Sequence, residues 1–383
     1  MQDERNSRPT RIWILRHGRS TLNQAQCFQG CGVESVLTEH GVRSAQLAGH
    51  RLAWEGIDAI YSSPLARATL TSALVREVLS RYKVNPDFRI EPALREIELP
   101  GWEGLTYDAV RQKFPDSFRQ FRRAPASFTL PDLDGTQIWP MQRMEQRVST
   151  LMPQLISQHA GRTILLVTHG GPARIMLLAA LGLNLSRFHS VQQSHGGLSC
   201  ITASNWPDEL RLDVLNETHH TGEILPKLKE GKTGLRLLMI ASDISQANIA
   251  QGAEDLAHLL ESLPIHRVLA AGTEGVMTAM RVLRYRGRAT IETCAETGLC
   301  GALESQLRKQ HPEEITNLLI TGRAELLSCL LARSMQSSNA EAPMALHLRS
   351  GLSVIHIPGP AHEPVLQAVN TRQAGWTPAG GIA

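Results

Sequence analysis

Short apolar runs alternate with amphipathic segments along the first half of the chain. Residues 12–15, 57–61 and 163–168 are apolar runs of strand length, each followed by turn-forming or polar residues. Residues 39–54 repeat their apolar positions at helical spacing, and Thr38 precedes them as a candidate N-cap. The pattern therefore predicts buried strands that alternate with helices.

Two more helices are predicted directly after strands. Ser63 and Pro64 suit the N-cap and the first position of a helix that runs to about residue 81. Pro172 favours the start of another helix, and Gly182 favours its end. This alternation is typical of an α/β fold with a mainly parallel sheet. Residues 105–160 are less regular and richer in Arg, Phe and Pro, which predicts an inserted helical cap.

The second half of the chain repeats this hydrophobic pattern in reduced form. A polar stretch at 221–234 predicts a linker between a first domain over 1–220 and a second domain over 235–383. We therefore expect two three-layer α/β/α domains with mainly parallel sheets, of which the second lacks the cap.

The composition is that of an ordinary globular protein, with 42% hydrophobic and 20% charged residues. The net charge of +3 is evenly spread, which argues against a nucleic-acid partner. The polar N-terminus, together with the lack of any apolar run of about 18 residues, predicts a cytoplasmic protein with no membrane partner. The six cysteines form no CxxC pattern, so reduced thiols are expected rather than a metal site.

Charged and imidazole side chains stand where the predicted strands end. Arg16 and His17 follow the first strand, Arg67 lies one turn into a helix, and His169 follows another strand. In a parallel sheet these strand ends meet at one edge, where ligands bind. Two arginines and a helix N-terminus form an anion site, and imidazole is a nucleophile near neutral pH. The pattern therefore indicates phosphoryl chemistry.

Five sets of motifs over about residues 11–220 resemble, in order, those of the histidine phosphatase superfamily, the phosphoglycerate mutase-like proteins. They are Leu15–Asn23 (LRHGRSTLN), Phe28–Gly30 (FQG) with Leu37–Gly41 (LTEHG), Tyr61–Ala68 (YSSPLARA), Leu94–Ile97 (LREI) with Gly101–Gly104 (GWEG), and Val167–Gly171 (VTHGG). Arg19 and the segment 135–137 depart from the family's usual residues, and the second departure concerns contacts in the cap.

The resemblance implies a role for each matching residue. His17 is expected to be the nucleophile that becomes a phosphohistidine. Glu96 is expected to protonate the leaving oxygen and later to accept a proton from water. Arg16, Arg67 and His169 are expected to surround the phosphoryl group and stabilise its charge. Further phosphate contacts are expected from Asn23, Gln29 and Gly170. The resemblance implies no metal and no other cofactor.

Spacing within the matched region favours a phosphatase over a mutase. Mutases of the family carry a longer insertion between the proton donor and the second histidine, whereas 73 residues separate Glu96 from His169. Leu215–His219 also resembles the broad-specificity and α-ribazole phosphatase branches. We therefore expect a metal-independent phosphomonoesterase of the histidine acid phosphatase type that acts on a small phosphorylated metabolite. A phosphoglycerate-type phosphomutase is the alternative enzyme.

The second domain lacks the residues on which this chemistry depends. Small residues stand where the first domain has its arginines and histidines, namely Ala241, Ser242, Gly275 and Gly322. Such a copy is expected to be catalytically silent and to pack on the first domain, mediate a homodimer or supply a wall of the substrate pocket. It also leaves a non-enzymatic alternative, a phospholigand-binding or scaffolding protein, against which the intact first site argues.

The arginines of the predicted cap leave two interpretations open. Arg119, Arg122 and Arg123 lie on one predicted helical segment. They form either a solvated helix face or a contact with a second anionic group of the substrate.

Overall fold

The chain folds into two compact units, Met1–Asp213 and Val214–Ala383, in the computed structural model. The boundary falls inside the strand Glu209–Glu217, ahead of the predicted linker. The structure describes residues 8–32, 35–229, 231–242, 256–261, 263–284, 290–309, 313–335, 346–349, 351–359 and 362–371.

Unit 1 is built on a mixed sheet with a parallel centre. Its strands are β1 (Thr10–Arg16), β2 (Ala59–Ser62), β3 (Asp87–Ile90), the short hairpin β4 (Leu130–Pro131) and β5 (Gln137–Ile138), β6 (Thr163–Thr168), β7 (Leu198–Asn205) and β8 (Glu209–Glu217). The order is β3-β2-β6-β1-β7-β8, with β1, β2, β3 and β6 parallel and β7 antiparallel to β1. Residues 12–15 and 164–167, in the two central strands, are fully buried.

In the described part of unit 1, seven α-helices accompany these strands. They are α1 (Thr21–Gln24), α2 (Glu39–Leu52), α3 (Ala66–Arg81), α4 (Tyr107–Lys113), α5 (Pro115–Arg123), α6 (Pro140–Gln158) and α7 (Gly170–Ala180). Short 3-10 turns lie at Pro92–Leu94, Pro125–Ser127 and Leu185–Ser190. Helices α2 and α3 pack on each other, and so do α6 and α7. No helix in the described part of the chain is long and apolar enough to cross a bilayer.

The helix starts follow the sequence prediction in part. The Thr38 hydroxyl accepts the Gly41 N–H at 3.1 Å, which confirms it as the N-cap of α2. The prediction for Ser63 is wrong, because α3 begins at Ala66 with Leu65 as its N-cap. Ser63 instead lies inside the site described below.

One further prediction needs correction in its bounds. Helix α7 begins at Gly170 rather than at Pro172, although Gly182 follows its end in a left-handed conformation, with φ +66°. Helix α6 packs against α7 and β7. The inserted cap over residues 105–160 stays a prediction.

Unit 2 is a smaller α/β unit. Its strands are β9 (Gly234–Ala241), β10 (Arg267–Ala271), β11 (Ile291–Cys294), β12 (Ile315–Gly322), β13 (Leu352–Ile357) and β14 (Val365–Thr371). Its helices are α8 (Gly272–Val282), α9 (Leu299–Arg308) and α10 (Ala324–Met335). Residues 256–261 are also helical.

The sheet of unit 2 has the same strand order as that of unit 1. Its order is β11-β10-β12-β9-β13-β14, against β3-β2-β6-β1-β7-β8. Strands β9, β10, β11 and β12 pair in parallel, and β13 is antiparallel to β9, as β7 is to β1. Strand directions and neighbours therefore correspond throughout the central parts of the two sheets.

Strand pairing also fixes which residues occupy corresponding positions. The His17 N–H donates to Thr168 O at 2.9 Å, and the Ser242 N–H donates to Gly322 O at 2.8 Å. Gly322 thus corresponds to Thr168, and Arg323 rather than Gly322 follows at the position of His169. Gly275 is the fourth residue of α8, whereas Arg67 is the second residue of α3, so the correspondence of these two positions stays a prediction. A Cβ on Gly275 would lie 2.7 Å from Thr321 O, so α8 rests directly on β12.

Candidate active site

His17 lies at the carboxyl end of β1 and is buried. Its Nδ1 is 2.7 Å from Gly18 O, and the Nε–H of Arg67 donates to its Nε2 at 3.3 Å. This network assigns the imidazole proton to Nδ1 and leaves a lone pair on Nε2. Burial, and then the charges of Arg67 and Arg16, hold the pKa of His17 well below its ordinary value. The ring is therefore held in its neutral form, with an unprotonated nitrogen facing Arg67.

A close backbone contact fixes the turn after His17. A Cβ on Gly18 would lie 2.3 Å from Gly41 O, so the turn can approach α2 only because residue 18 is glycine. The Gly18 N–H donates to Thr71 Oγ1 on α3 at 3.1 Å. The imidazole is thus held between the central strand and two helices.

Two arginines flank this imidazole. Arg67, in the first turn of α3, donates through Nη2 to Gly30 O at 2.9 Å and is only 2% exposed. Arg16 donates through Nη1 to Gln193 O at 2.7 Å. Burial lowers the pKa of both guanidinium groups, and the negative charge of Glu96 opposes that shift. Both cations are therefore held by backbone carbonyls rather than by a carboxylate in direct contact.

His169 is the N-cap residue of α7, and its ring centroid lies 5.0 Å from that of His17. Its Nε2 is 2.7 Å from Ser63 Oγ, which accepts the Leu65 N–H at 3.4 Å. The Ser63 hydroxyl donates its proton to His169 Nε2. The imidazole proton of His169 therefore lies on Nδ1. Burial, followed by Arg67, lowers the pKa of His169 well below its ordinary value.

Two buried nitrogens at this site have no hydrogen-bond partner among the described residues. They are Arg16 Nε and His169 Nδ1. A buried donor without a partner costs about 1–3 kcal/mol, so such atoms point to a group that they bind. A second glycine makes room for this arrangement, since a Cβ on Gly170 would lie 3.2 Å from Arg16 Cζ.

Glu96 enters the site after the Pro92–Leu94 turn. Its Oε1 accepts the N–H groups of Gly171 and Ile97, each at 3.0 Å. The first of these belongs to the N-terminal turn of α7, where the helix dipole favours a carboxylate. A Cβ on Gly171 would lie 2.3 Å from Oε1, so that glycine leaves the space in which the carboxylate sits.

The structure places Asn23 and Gln29 in a hydrogen-bonded layer beside the site. The Asn23 Oδ1 accepts from the N–H and the hydroxyl of Ser20 at 3.2 and 2.9 Å. The Ser35 hydroxyl donates to Gln29 Oε1 at 2.7 Å. The Ser20 Oγ lies 2.9 Å from Gln29 Oε1 as well, and its single proton serves one of the two amide oxygens at a time. The amide oxygens thus accept hydrogen bonds within this layer, and the amide nitrogens are the groups suited to contact an anion.

Three residues of the site are not predicted from the sequence. His195 lies with its ring centroid 5.8 Å from that of His17, in the loop before β7. Ser63 contacts His169, as described above. Glu103, in the GWEG motif, is only partly exposed and accepts hydrogen bonds from three backbone N–H groups. No spacing in the sequence marks these residues, because each is placed at the site by a contact with a residue that is distant in the chain.

Two arginines of the predicted cap, Arg119 and Arg122, have side-chain partners. Arg119 pairs with Asp116 at 2.9 Å on the exposed face of α5. Arg122 donates to His189 Nδ1 at 3.3 Å, and Arg123 is exposed. Beneath the cap, Trp102 is fully buried among aromatic rings from Phe28, Phe114, Phe118, Phe121 and Phe128.

The described part of the chain contains no group of three or more His, Cys, Asp or Glu side chains that could hold a metal ion. The edge of the sheet instead presents a neutral histidine nitrogen, two buried guanidinium groups, a second histidine and a carboxylate at a helix N-terminus. Guanidinium forks match phosphoryl oxygens, and imidazole forms covalent intermediates. Such a combination at the edge of an α/β sheet is chemically suited to bind a phosphoryl group.

The chain belongs to the histidine phosphatase superfamily (branch 1), whose family model matches residues 12–218. It is 30% identical over 216 residues to phosphoserine phosphatase 1 of Hydrogenobacter thermophilus. This match covers 56% of this chain and 95% of the relative. It is 29% identical over 217 residues to a probable 2-carboxy-D-arabinitol-1-phosphatase of Arabidopsis thaliana. Among solved structures, it resembles YhfR of Bacillus stearothermophilus, with 28% identity, a TM-score of 0.49, and coverage of 55% of this chain and 99% of that one.

The matches to two plant relatives concern a part of each protein. The match to the Arabidopsis relative covers 54% of this chain and 42% of the relative, and a match to a wheat 2-carboxy-D-arabinitol-1-phosphatase covers 47% of that relative. The chain thus spans less than half the length of these two plant proteins.

Proposed function

We propose that this protein hydrolyses phosphomonoesters through a phosphohistidine formed on His17. One observation carries the proposal: His17 presents an unprotonated Nε2 beside two guanidinium groups, with Arg16 Nε and His169 Nδ1 buried and unpaired. The membership of the chain in a phosphatase superfamily and its similarity to named phosphatases support the same reaction.

The first half-reaction transfers the phosphoryl group to the enzyme. The lone pair on His17 Nε2 attacks phosphorus, an N–P bond forms, and the bond from phosphorus to the ester oxygen breaks. Glu96 gives its proton to the departing oxygen. Arg16, Arg67 and His169 donate to the three peripheral phosphoryl oxygens, over which the charge of the transition state is spread.

Water completes the cycle in the second half-reaction. Glu96 accepts a proton from the attacking water, an O–P bond forms, the N–P bond breaks, and inorganic phosphate leaves. The amide nitrogens of Asn23 and Gln29 and the N–H of Gly170 would add contacts to the phosphate. A mutase must keep water out at this stage, whereas a hydrolase must admit it.

Hydrolysis of para-nitrophenyl phosphate in excess EDTA tests the proposal, with wild type compared with His17→Ala. The expected result is phosphate release that persists in EDTA and falls by about 10³-fold or more in the variant. His40→Ala, an exposed histidine outside the site, is the matched control and should retain full activity. Full activity in His17→Ala would contradict the proposal.

The natural substrate is proposed to be a small phosphorylated metabolite. A panel of phosphoserine, 2-carboxyarabinitol 1-phosphate, 3-phosphoglycerate and α-ribazole phosphate compares kcat/KM across such compounds. Phosphate release from one of them identifies a phosphatase. Transfer of phosphate between positions of a phosphoglycerate, without net release, would favour the mutase alternative.

We propose further that unit 2 is a catalytically silent second copy of the fold. The shared strand order supports this, and so does a shared backbone detail: Asn216 near the end of β8 and Asn370 near the end of β14 are both left-handed, with φ +53° and +52°. Ser242→Ala is expected to leave hydrolysis unchanged. Activity that remains in His17→Ala and disappears with Ser242→Ala would refute the proposal.

A role of unit 2 in a homodimer is likewise proposed, since a silent copy retains a folded surface. Gel filtration of the whole chain and of the chain truncated after unit 1 tests it. A shift from dimer to monomer on truncation is expected. A monomeric whole chain would exclude this role.

A further inference from the structure

The carboxylate of Glu103 organises the backbone of a loop beside the site. Its Oε1 accepts the Cys31 N–H at 2.9 Å and the Leu99 N–H at 3.3 Å, and its Oε2 accepts the Gly32 N–H at 2.7 Å. Hydrogen bonds from N–H groups to a charged carboxylate are roughly twice as strong as neutral ones. Loop 30–32 is thereby fixed to the segment that follows Glu96.

The loop is shaped to receive this carboxylate. A Cβ on Gly30 would lie 1.8 Å from Glu103 Oε1, and a Cβ on Gly32 would lie 2.5 Å from Oε2. Gly30 is also left-handed, with φ +55°, which favours glycine. Two glycines therefore leave the space that the Glu103 side chain fills.

The far side of the same loop contacts the reacting groups. The Gly30 carbonyl accepts the Arg67 Nη2–H at 2.9 Å, and Arg67 Nε donates to His17 Nε2 at 3.3 Å. The Cys31 thiol lies 2.8 Å from the main-chain oxygen of Glu96. One hydrogen bond thus connects loop 30–32 to Arg67, and a second connects Arg67 to His17. A displacement of the loop would therefore change the position of Arg67 relative to His17.

We propose that Glu103 is a positioning residue, which holds loop 30–32 so that the Gly30 carbonyl orients the Arg67 guanidinium toward the phosphoryl group on His17. The inference rests on the proposed function for its effect on rate, but the orientation of Arg67 can be measured without catalysis. Glu103 does not touch the reacting atoms and acts through the loop.

The first test compares kcat/KM for wild type, Glu103→Gln and the control Glu98→Gln. Glu98 is a nearby carboxylate that pairs with Arg95 and Arg143 on the surface. Glu103→Gln replaces an acceptor by an amide that faces N–H donors, and a misplacement of about 1 Å is expected to cost about 100-fold. In an Arg67→Gln background the same substitution should cost no more than about 2-fold, because its path to the site is already broken. Equal losses in both backgrounds would overturn the proposal.

The second test measures the pKa of the His17 imidazole by NMR, which needs no turnover. Loss of the Glu103 negative charge alone would lower this pKa, whereas release of the Arg67 cation from His17 would raise it. The expected result for Glu103→Gln is therefore a rise toward the value in Arg67→Gln. A fall or no change would overturn the proposal even if wild type hydrolyses phosphomonoesters. If wild type is inactive, the proposed function fails and this measurement still decides the role of Glu103.

Gly32→Ala provides a second variant in case Glu103→Gln does not fold. It keeps the charge but places a methyl group 2.5 Å from Oε2, on an exposed part of the loop. Like Glu103→Gln, it is expected to raise the His17 pKa and to lower kcat/KM. An unchanged pKa and an unchanged rate in a folded Gly32→Ala variant would count against the proposal.

Discussion

Gly171→Ala separates the role of Glu96 from the stability of the fold. Gly171 lies in the first turn of α7 with an ordinary helical backbone, so alanine fits its backbone conformation. The new methyl group would lie 2.3 Å from Glu96 Oε1 and 2.6 Å from Met144 Sδ. The carboxylate must move by about 1 Å to reach an ordinary contact distance.

The size of the effect follows from the bond that this movement breaks. The Gly171 N–H donates to Glu96 Oε1 at 3.0 Å, and a hydrogen bond to a charged group contributes about 1.5–3 kcal/mol. If that contribution is lost in the transition state, kcat/KM falls by about 10–100-fold. The helix itself gains up to about 1 kcal/mol from alanine, which offsets part of the steric cost in the folded state.

The assay uses two kinds of leaving group. An alkyl phosphate such as phosphoserine needs a proton on its departing oxygen, whereas para-nitrophenol leaves readily as its anion. Gly171→Ala is therefore expected to slow alkyl phosphate hydrolysis by the full 10–100-fold and para-nitrophenyl phosphate hydrolysis by much less. Gly301→Ala is the matched control, because Gly301 lies in α9 with open space around the new methyl group.

Two outcomes would refute this reasoning. An equal loss for both leaving groups would mean that the methyl group disturbs phosphoryl binding rather than proton donation. Unchanged rates for both, in a folded variant, would mean that Glu96 does not need its position at the start of α7.

Other substitutions test the surroundings of the site. Ser63→Ala removes the hydrogen bond to His169, and kcat/KM should fall by about 5–10-fold; an unchanged rate would show that the hydroxyl does not orient the ring. Burial above all lowers the pKa of His189 from 6.5 to about 3, so below pH 6.5 the unfolded chain binds a proton that the folded chain does not. The free energy of unfolding should then fall by up to about 1.4 kcal/mol per pH unit as the pH decreases, and urea denaturation of His189→Gln should show a smaller slope. Gly49→Ala places a Cβ 2.8 Å from Val78 Cβ between α2 and α3 and should destabilise the fold by about 1–3 kcal/mol in the same assay, without a change in KM.

The strands of unit 1 could be predicted because buried parallel strands leave a continuous apolar run in the sequence. Residues 12–15 and 163–168 fall in β1 and β6 for this reason. The start of α3 could not, because Ser63 has the properties of a good N-cap and its hydroxyl is instead engaged by His169. A tertiary contact here outweighs a local preference.

The candidate site likewise contains residues whose meeting could be predicted from the sequence and residues whose role could not. His17 and Arg67 could be predicted to meet because each follows the end of a strand, and strand ends share one edge of the sheet. Glu103 could not be assigned a role, because its effect depends on where loop 30–32 lies in space. The left-handed conformation of Gly30 could not be predicted either, because a single sequence does not show which glycines adopt that conformation.

The contact of Gly275 with β12 has a consequence for the history of unit 2. On the proposal that unit 2 descends from an active copy, Gly275 stands where that copy had an arginine. A side chain there would now meet the Thr321 carbonyl at 2.7 Å, and the Thr321 hydroxyl donates to the Gly275 carbonyl at 2.7 Å. A reversion to arginine would therefore separate α8 from its strand before it restored any cation. On that proposal, the closer packing would make the loss of the ancestral site difficult to reverse by single substitutions.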